Sequence, residues 1–207
     1  MIAVVDYGVG NLRSVAKALE KVGASVRVTS SASDLADAQA VVLPGVGAFA
    51  RCMGNLEEAG LREAVCRAAT SGKPFLGICV GMQILFDHSD EFGRVEGLGL
   101  LPGHVSRFEG LPRELKVPHM GWNEIKLRGA SPYFEGIADN ERFYFVHSYR
   151  VLSDNEQVVA AACDYGGSFV AAAARDNLLA TQFHPEKSQS AGLRLLANFV
   201  GTAGENS

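Results

Sequence analysis

Lys73-Pro74-Phe75-Leu76-Gly77-Ile78-Cys79-Val80-Gly81-Met82-Gln83-Ile84-Leu85-Phe86 is the stretch on which the fold turns. A Gly-Lys-Pro turn opens it, and the short apolar run Phe75 to Ile78 reads as a fully buried strand. Val80, Met82, Ile84, Leu85 and Phe86 then give an apolar-rich pattern that predicts a buried helix. Between them stands Gly77-Ile78-Cys79-Val80-Gly81, a Gly-x-nucleophile-x-Gly layout at a strand-to-helix junction. The glycines suit a sharp, strained turn that neighbouring chain must approach closely. The junction puts Cys79 at a helix N-terminus, where the dipole and free N–H groups favour a thiolate and can hold an oxyanion. By itself Cys79 reads equally as a small buried hydrophobe.

Composition narrows the class. A length of 207 residues fits one domain, 1–207, with a sizeable core, and 47% hydrophobic with 20% charged residues is ordinary for a soluble globular chain. A net charge of -4 argues against nucleic acid as the main partner. No apolar run has the length of a membrane span, and Met1 to Asp6 reads as a strand rather than a signal peptide. The four cysteines lack metal-ligand spacing and the chain needs no disulfides, so no metal or cofactor is expected and a reducing cytoplasm is the expected setting. Only the tail from Gly201 reads as loose.

The rest of the chain alternates strands and helices. Ile2 to Val5 reads as a strand, Leu12 to Val22 as a helix closed by Gly23, Ser25 to Thr29 as a strand, and Ala40 to Leu43 as another. Leu61 to Ala69 reads as a helix before the strand at Phe75. This order predicts a doubly wound α/β domain with a mostly parallel, flavodoxin-like sheet. Gly8-Val9-Gly10 could cradle a phosphate, but it lacks the third glycine of the dinucleotide fingerprint and reads as structural. Pro44-Gly45-Val46-Gly47 follows a parallel strand, where it is either a tight turn or a row of N–H donors completing an oxyanion hole. Beyond Glu91 the strand-like segments are Val105–Phe108, Trp122–Leu127, Phe143–Arg150, Val158–Cys163, Phe169–Ala174 and Leu178–Phe183. They predict added antiparallel strands, followed by a helix from about Ser188 to Val200. His88 reads as solvated surface after a helix, and His104 as a turn residue.

Cys79 needs a base, and a base needs a group that holds its tautomer. His184-Pro185-Glu186 offers an imidazole and a carboxylate two residues apart, across a proline that stiffens the chain. Alone, that tripeptide reads as a strand end and turn; with the elbow and the Pro-Gly-Val-Gly loop it reads as a triad.

Pro44-Gly45-Val46-Gly47, Gly77-Ile78-Cys79-Val80-Gly81-Met82-Gln83 and Phe183-His184-Pro185-Glu186, in this order, resemble the class I (triad) glutamine amidotransferases. Within that family, Asp6 to Leu12, Pro118-His119-Met120-Gly121-Trp122-Asn123, Phe145 to Tyr149 and Glu186-Lys187-Ser188 resemble the branch that works in histidine biosynthesis, as a heterodimer with a (β/α)₈-barrel cyclase subunit. The resemblance implies L-glutamine as substrate, Cys79 as nucleophile, His184 as base and Glu186 as its orienting partner. It implies oxyanion donors from Val46, Gly47 and Val80, in a loop that reorients on activation. It also implies glutamine contacts at Gly47, Gln83, Glu91, His147, Ser148 and Tyr149, and a partner face at Asn11, Ser14, Trp122 and Lys187. Trp122, the single tryptophan, reads otherwise as a buried core residue. Rival readings are the same chemistry for another acceptor, a cysteine peptidase on this scaffold, and a catalytically dead binding module. Met82 speaks against anthranilate-type relatives, which have His there, and Gln83 suits an amide substrate rather than a peptide.

Overall fold

The computed structural model describes residues 1–205. The first half is β1 (Ile2–Val5), α1 (Leu12–Lys21), β2 (Val26–Thr29), α2 (Ala32–Asp37), β3 (Ala40–Gly45), α3 (Phe49–Glu58), α4 (Arg62–Thr70) and β4 (Phe75–Cys79). Every residue of β1, β3 and β4 is buried, as continuous apolar strands of a parallel sheet covered on both faces must be. β2 lies at the sheet edge and exposes Arg27 and Val28. Gly23, at φ 93°, closes α1 in the left-handed conformation that its Cβ-free backbone allows.

The second half continues with α5 (Val80–Gln83), β5 (Phe86–Ser89), β6 (Val95–Glu96), β7 (Leu101–Arg107), β8 (His119–Glu124), β9 (Lys126–Leu127), β10 (Arg142–His147), β11 (Tyr149–Leu152), β12 (Val159–Asp164), β13 (Ser168–Arg175), β14 (Leu178–Thr181) and α6 (Gln189–Glu205). An eight-stranded sheet runs β2-β1-β3-β4-β14-β13-β12-β9, parallel from β2 to β14 and antiparallel beyond. A four-stranded sheet, β11-β7-β5-β6, and a ribbon, β10-β8, flank it. This is the expected α/β plan with antiparallel additions.

Several expectations are corrected. The helix after Cys79 ends at Gln83 instead of reaching Phe86. Leu98 N–H donates to Ile84 O at 2.8 Å and Leu100 N–H to Leu85 O at 2.8 Å, so pairing with a later segment captures Phe86 into β5. The run is apolar on every side, and its periodicity does not distinguish the two outcomes. His88 and His104 therefore lie on paired strands, with rings stacked 5.5 Å apart, rather than on open surface and in a turn. The stretches read as single strands at 122–127 and 143–150 are each broken, at Ile125 and at Ser148. Of the tail expected to be loose, Gly201 to Glu205 extends α6, with Ala203 buried and Thr202 Oγ1 donating to Phe199 O at 2.8 Å, while positions 206 and 207 lie outside the described residues. The expectations also lacked α2 and α3, although Phe49, Cys52, Met53 and Leu56 recur at helical spacing and are buried.

Candidate active site

Cys79 closes β4 at φ 56°, ψ -112°, the left-handed side of the map that a non-glycine residue rarely takes. Backbone packing holds it there. A Cβ on Gly81 would lie 2.0 Å from Leu43 O, and one on Gly45 would lie 2.4 Å from Gly81 N. The ends of β3 and β4 and the start of α5 thus touch main chain to main chain. Because α5 is one turn long, its macrodipole is small, and the dipole argument for a thiolate gives way to local hydrogen bonds. Cys79 is also more enclosed than an exposed elbow, at 4% accessibility.

His184 reaches it from the chain end of β14. Phe183 packs on Phe143 at 4.2 Å and on Phe145 at 5.7 Å, and burying such a ring stabilises by about 2–3 kcal/mol. The His184 main chain is fixed at both ends: its N–H donates to Tyr144 O at 2.9 Å, and Ser188 Oγ donates to its carbonyl at 2.6 Å. His184 Nδ1 meets Glu186 Oε1 at 2.8 Å with both side chains almost fully enclosed, and His184 lines the same cavity as Cys79. Burial works against the imidazolium, but the bonds and charges of Cys79 and Glu186 outweigh it and raise His184 to about 10. His184 thus carries the proton at neutral pH, facing the sulfur.

A second set of buried polar groups adjoins this one. Gln83 Nε2 donates to Tyr149 O at 3.1 Å and to Gln182 Oε1 at 2.9 Å, and Gln182 Nε2 donates to Cys79 Sγ at 3.7 Å. His147 Nδ1 donates to the same Tyr149 O at 2.7 Å, and its Nε2 meets His119 Nδ1 at 2.9 Å. Desolvation lowers His119 to about 4 and His147 to about 3, so both imidazoles are neutral near pH 7.

A cavity of about 630 Å³ opens over Cys79, lined among others by Val46, Gly47, Val80, Gln83, Glu91, His147, Ser148, Tyr149, His184 and Lys187. The structure therefore brings all the expected oxyanion and glutamine residues to one cleft. The break between β10 and β11 at Ser148 carries the chain from one sheet to another along its wall. The expectations included neither Phe92 nor Arg107 on the rim, nor Gln182 behind the sulfur.

The glutamine amidotransferase class-I family profile matches residues 3–202. The chain belongs to this family. Among curated relatives it is 55% identical over 203 residues to the imidazole glycerol phosphate synthase subunit HisH of Syntrophotalea carbinolica, covering 96% of this chain and 98% of that one. It is 56% identical over 210 residues to the protein of that name from Aromatoleum aromaticum, with 98% of each chain covered. Among solved structures, a glutamine amidotransferase aligns at TM-score 0.76 and 21% identity, covering 99% of this chain and 100% of that chain, a likeness of fold. A putative GMP synthase component from Thermoplasma acidophilum aligns at TM-score 0.73 and 21% identity, covering 99% and 94%.

In this amidotransferase, individual placements add to what the motifs imply. Both ring nitrogens of His147 are engaged internally, so its side chain supports the cleft wall rather than reaching into the cavity. Glu91 Oε2 accepts the Phe49 N–H at 2.6 Å, where it caps α3. Cys52 Sγ donates to Val46 O at 3.5 Å and turns that carbonyl toward α3. Lys187 Nζ lies 5.9 Å from the Tyr144 ring centre and Trp122 packs edge-on 6.1 Å from the same ring, which brings together these two residues expected on a partner face. Asn11 precedes α1, and α1 packs against the turn that carries Lys187. Trp122 is 39% exposed, which departs from the core reading.

The imidazoles set opposite pH limbs of stability. His119 and His147 bind protons less readily folded than unfolded, so their contribution is present above pH 6.5 and lost as pH falls toward about 4 and 3. His184 binds its proton more readily folded, so its contribution is complete below pH 6.5 and lost as pH rises toward about 10. Urea denaturation across this range is expected to show the alkaline decline flattened in His184→Asn and the acid limb unchanged.

Proposed function

We propose that this chain, acting over 1–207 as one amidotransferase domain, is the glutaminase subunit of an imidazole glycerol phosphate synthase in histidine biosynthesis. It would hydrolyse L-glutamine and pass ammonia to a (β/α)₈-barrel cyclase partner in a cytoplasmic heterodimer. The observation that carries this reading is Cys79 and His184 side by side in the cleft, with His184 hydrogen-bonded behind it to the buried Glu186. The near-full-length identity to subunits of that synthase supports the choice among acceptors. No helix among the described residues is long and apolar enough to cross a membrane.

The geometry supports a thioester mechanism. With the proton on His184, the Cys79 sulfur attacks the side-chain carbonyl carbon of glutamine. N–H groups of Val46, Gly47 and Val80 would receive the charge that develops on oxygen. As the C–N bond breaks, His184 returns the proton to the leaving nitrogen and ammonia departs, leaving a thioester. Water, deprotonated by His184, then attacks the thioester carbon; the C–S bond breaks and glutamate is released. Glu186 holds the imidazole tautomer and stabilises its charged form throughout. Gln83, Glu91, Ser148 and Tyr149 line the cleft where the amino-acid end of the substrate would sit. Phe92, Val117, Met120 and Trp122 are exposed apolar side chains of the kind a protein partner covers, and Asn11, Ser14 and Lys187 would contribute polar contacts.

Glutamate release is measured with the pure chain, then with the matching cyclase subunit plus its nucleotide ligand. Strong stimulation by the partner supports the proposal; full activity alone, or peptide cleavage in place of glutamine hydrolysis, contradicts it. Trp122→Ala is expected to weaken partner binding by about 2 kcal/mol or more, roughly thirtyfold in Kd by titration calorimetry, with the melting temperature nearly unchanged. A large fall in melting temperature would return Trp122 to the core reading.

A further inference from the structure

We propose that Gln182 is a catalytic residue, its side-chain amide donating a hydrogen bond to the Cys79 sulfur and stabilising it as the attacking thiolate. The inference rests on the glutaminase reading for its kinetic arm and on geometry alone for the rest.

The orientation of the amide is fixed by a chain of groups whose donor and acceptor roles are forced. Tyr149 O can only accept, so His147 Nδ1, 2.7 Å away, carries a hydrogen. In the neutral ring Nε2 is then an acceptor, and His119 Nδ1 donates to it at 2.9 Å. The Tyr149 carbonyl also fixes Gln83. Reversing that amide would set its oxygen against a carbonyl oxygen, so Gln83 presents its NH₂ to Tyr149 O at 3.1 Å and its second hydrogen to Gln182 Oε1 at 2.9 Å. With its oxygen used as an acceptor, Gln182 turns its own NH₂ toward Cys79 Sγ at 3.7 Å, within reach of the large sulfur atom.

The position is enclosed and rigid. Gln182 is fully buried, Gln83 nearly so, and Gln182 N–H is bonded to Ala171 O at 2.8 Å next to β14. A buried amide beside a sulfur stabilises the charged form far more than the neutral thiol, which is a weak acceptor. The cap dipole at this nucleophile is that of a single turn, so a side-chain donor fills the role that a longer helix would have had. His184 approaches the sulfur from the Glu186 turn and Gln182 from the residue just past β14, which gives the nucleophile two partners of different kinds.

Two variants separate donation from packing. Gln182→Met removes both the donor and the acceptor that Gln83 uses; Gln182→Glu keeps an acceptor for Gln83 while setting a carboxylate against the sulfur. Full-length protein with the cyclase subunit is assayed for glutamate release, and the chain alone for iodoacetamide inactivation from about pH 5 to 9. Both variants are expected to lose about ten- to a hundredfold in kcat, with KM for glutamine held within about threefold. Alkylation at neutral pH is expected to slow in parallel, its pH midpoint moving up by about one unit or more. Turnover and alkylation within about twofold of the wild type overturn the proposal, as does a fall in kcat with alkylation unchanged. If Gln182→Met fails to fold, Gln182→Glu decides. If the wild type is alkylated at Cys79 yet releases no glutamate with or without the cyclase, the glutaminase reading fails and the alkylation comparison still tests Gln182.

Discussion

Cys79→Ala is expected to lower glutamate release by at least about 10⁴-fold, measured with the cyclase subunit present, because no other group near the cleft can form the thioester. Among the described residues, Cys52 is the cysteine placed to compete, but its thiol is engaged with Val46 O and burial pushes it up to about 11. The variant should melt within a few degrees of the wild type, since the side chain lost is small. Alanine, however, inherits the φ of 56° at this position. Cys79→Gly, equally inactive, relieves that strain, which costs of order 1–3 kcal/mol, and is expected to melt above Cys79→Ala. Retained hydrolysis in either variant would remove Cys79 from the mechanism. Equal melting of the two would show that the strained turn costs nothing.

Gly81→Ala is expected to be strongly disruptive, destabilising by about 4 kcal/mol or preventing folding. The added carbon would lie 2.0 Å from Leu43 O, and that oxygen is main chain in the fully buried strand β3. It cannot swing aside as a flexible side chain would, so β3 or α5 must shift, and either movement displaces the sulfur or the Val46-Gly47 loop. Gly54→Ala is the matched control. It lies inside α3, nothing approaches its ideal Cβ within 4 Å, and alanine there should stabilise by about 0.5–1 kcal/mol through helix propensity. Chemical denaturation of the two variants checks both signs; comparable stability for Gly81→Ala and wild type would mean the close approach is not obligatory.

Much of the site was legible because its chemistry needs particular residue types at short spacing. Gly77, Cys79 and Gly81 mark the elbow, and Pro185 between His184 and Glu186 marks a local base–carboxylate pair. Gln182 was legible only as one more residue at the end of a strand. Its side chain meets Cys79 and Gln83, about a hundred positions away, and nothing in its neighbours signals that contact. The same holds for His119 and His147, which meet because β8 and β10 pair with these two residues in register.

The alternation of buried apolar strands with amphipathic helices determined the parallel sheet, and the three motifs determined which residues could carry acyl transfer. Local pattern suffices there, since a strand buried on both faces or a strained turn constrains its own sequence. Tertiary structure decided that α5 stops after one turn, that Phe86 joins a strand, and that the chain changes sheets at Ser148. It also decided that an amide from β14's end faces the Cys79 sulfur. Those outcomes depend on hydrogen bonds between distant segments, where an all-apolar run or a lone glutamine fits more than one arrangement and only the assembled neighbours select between them.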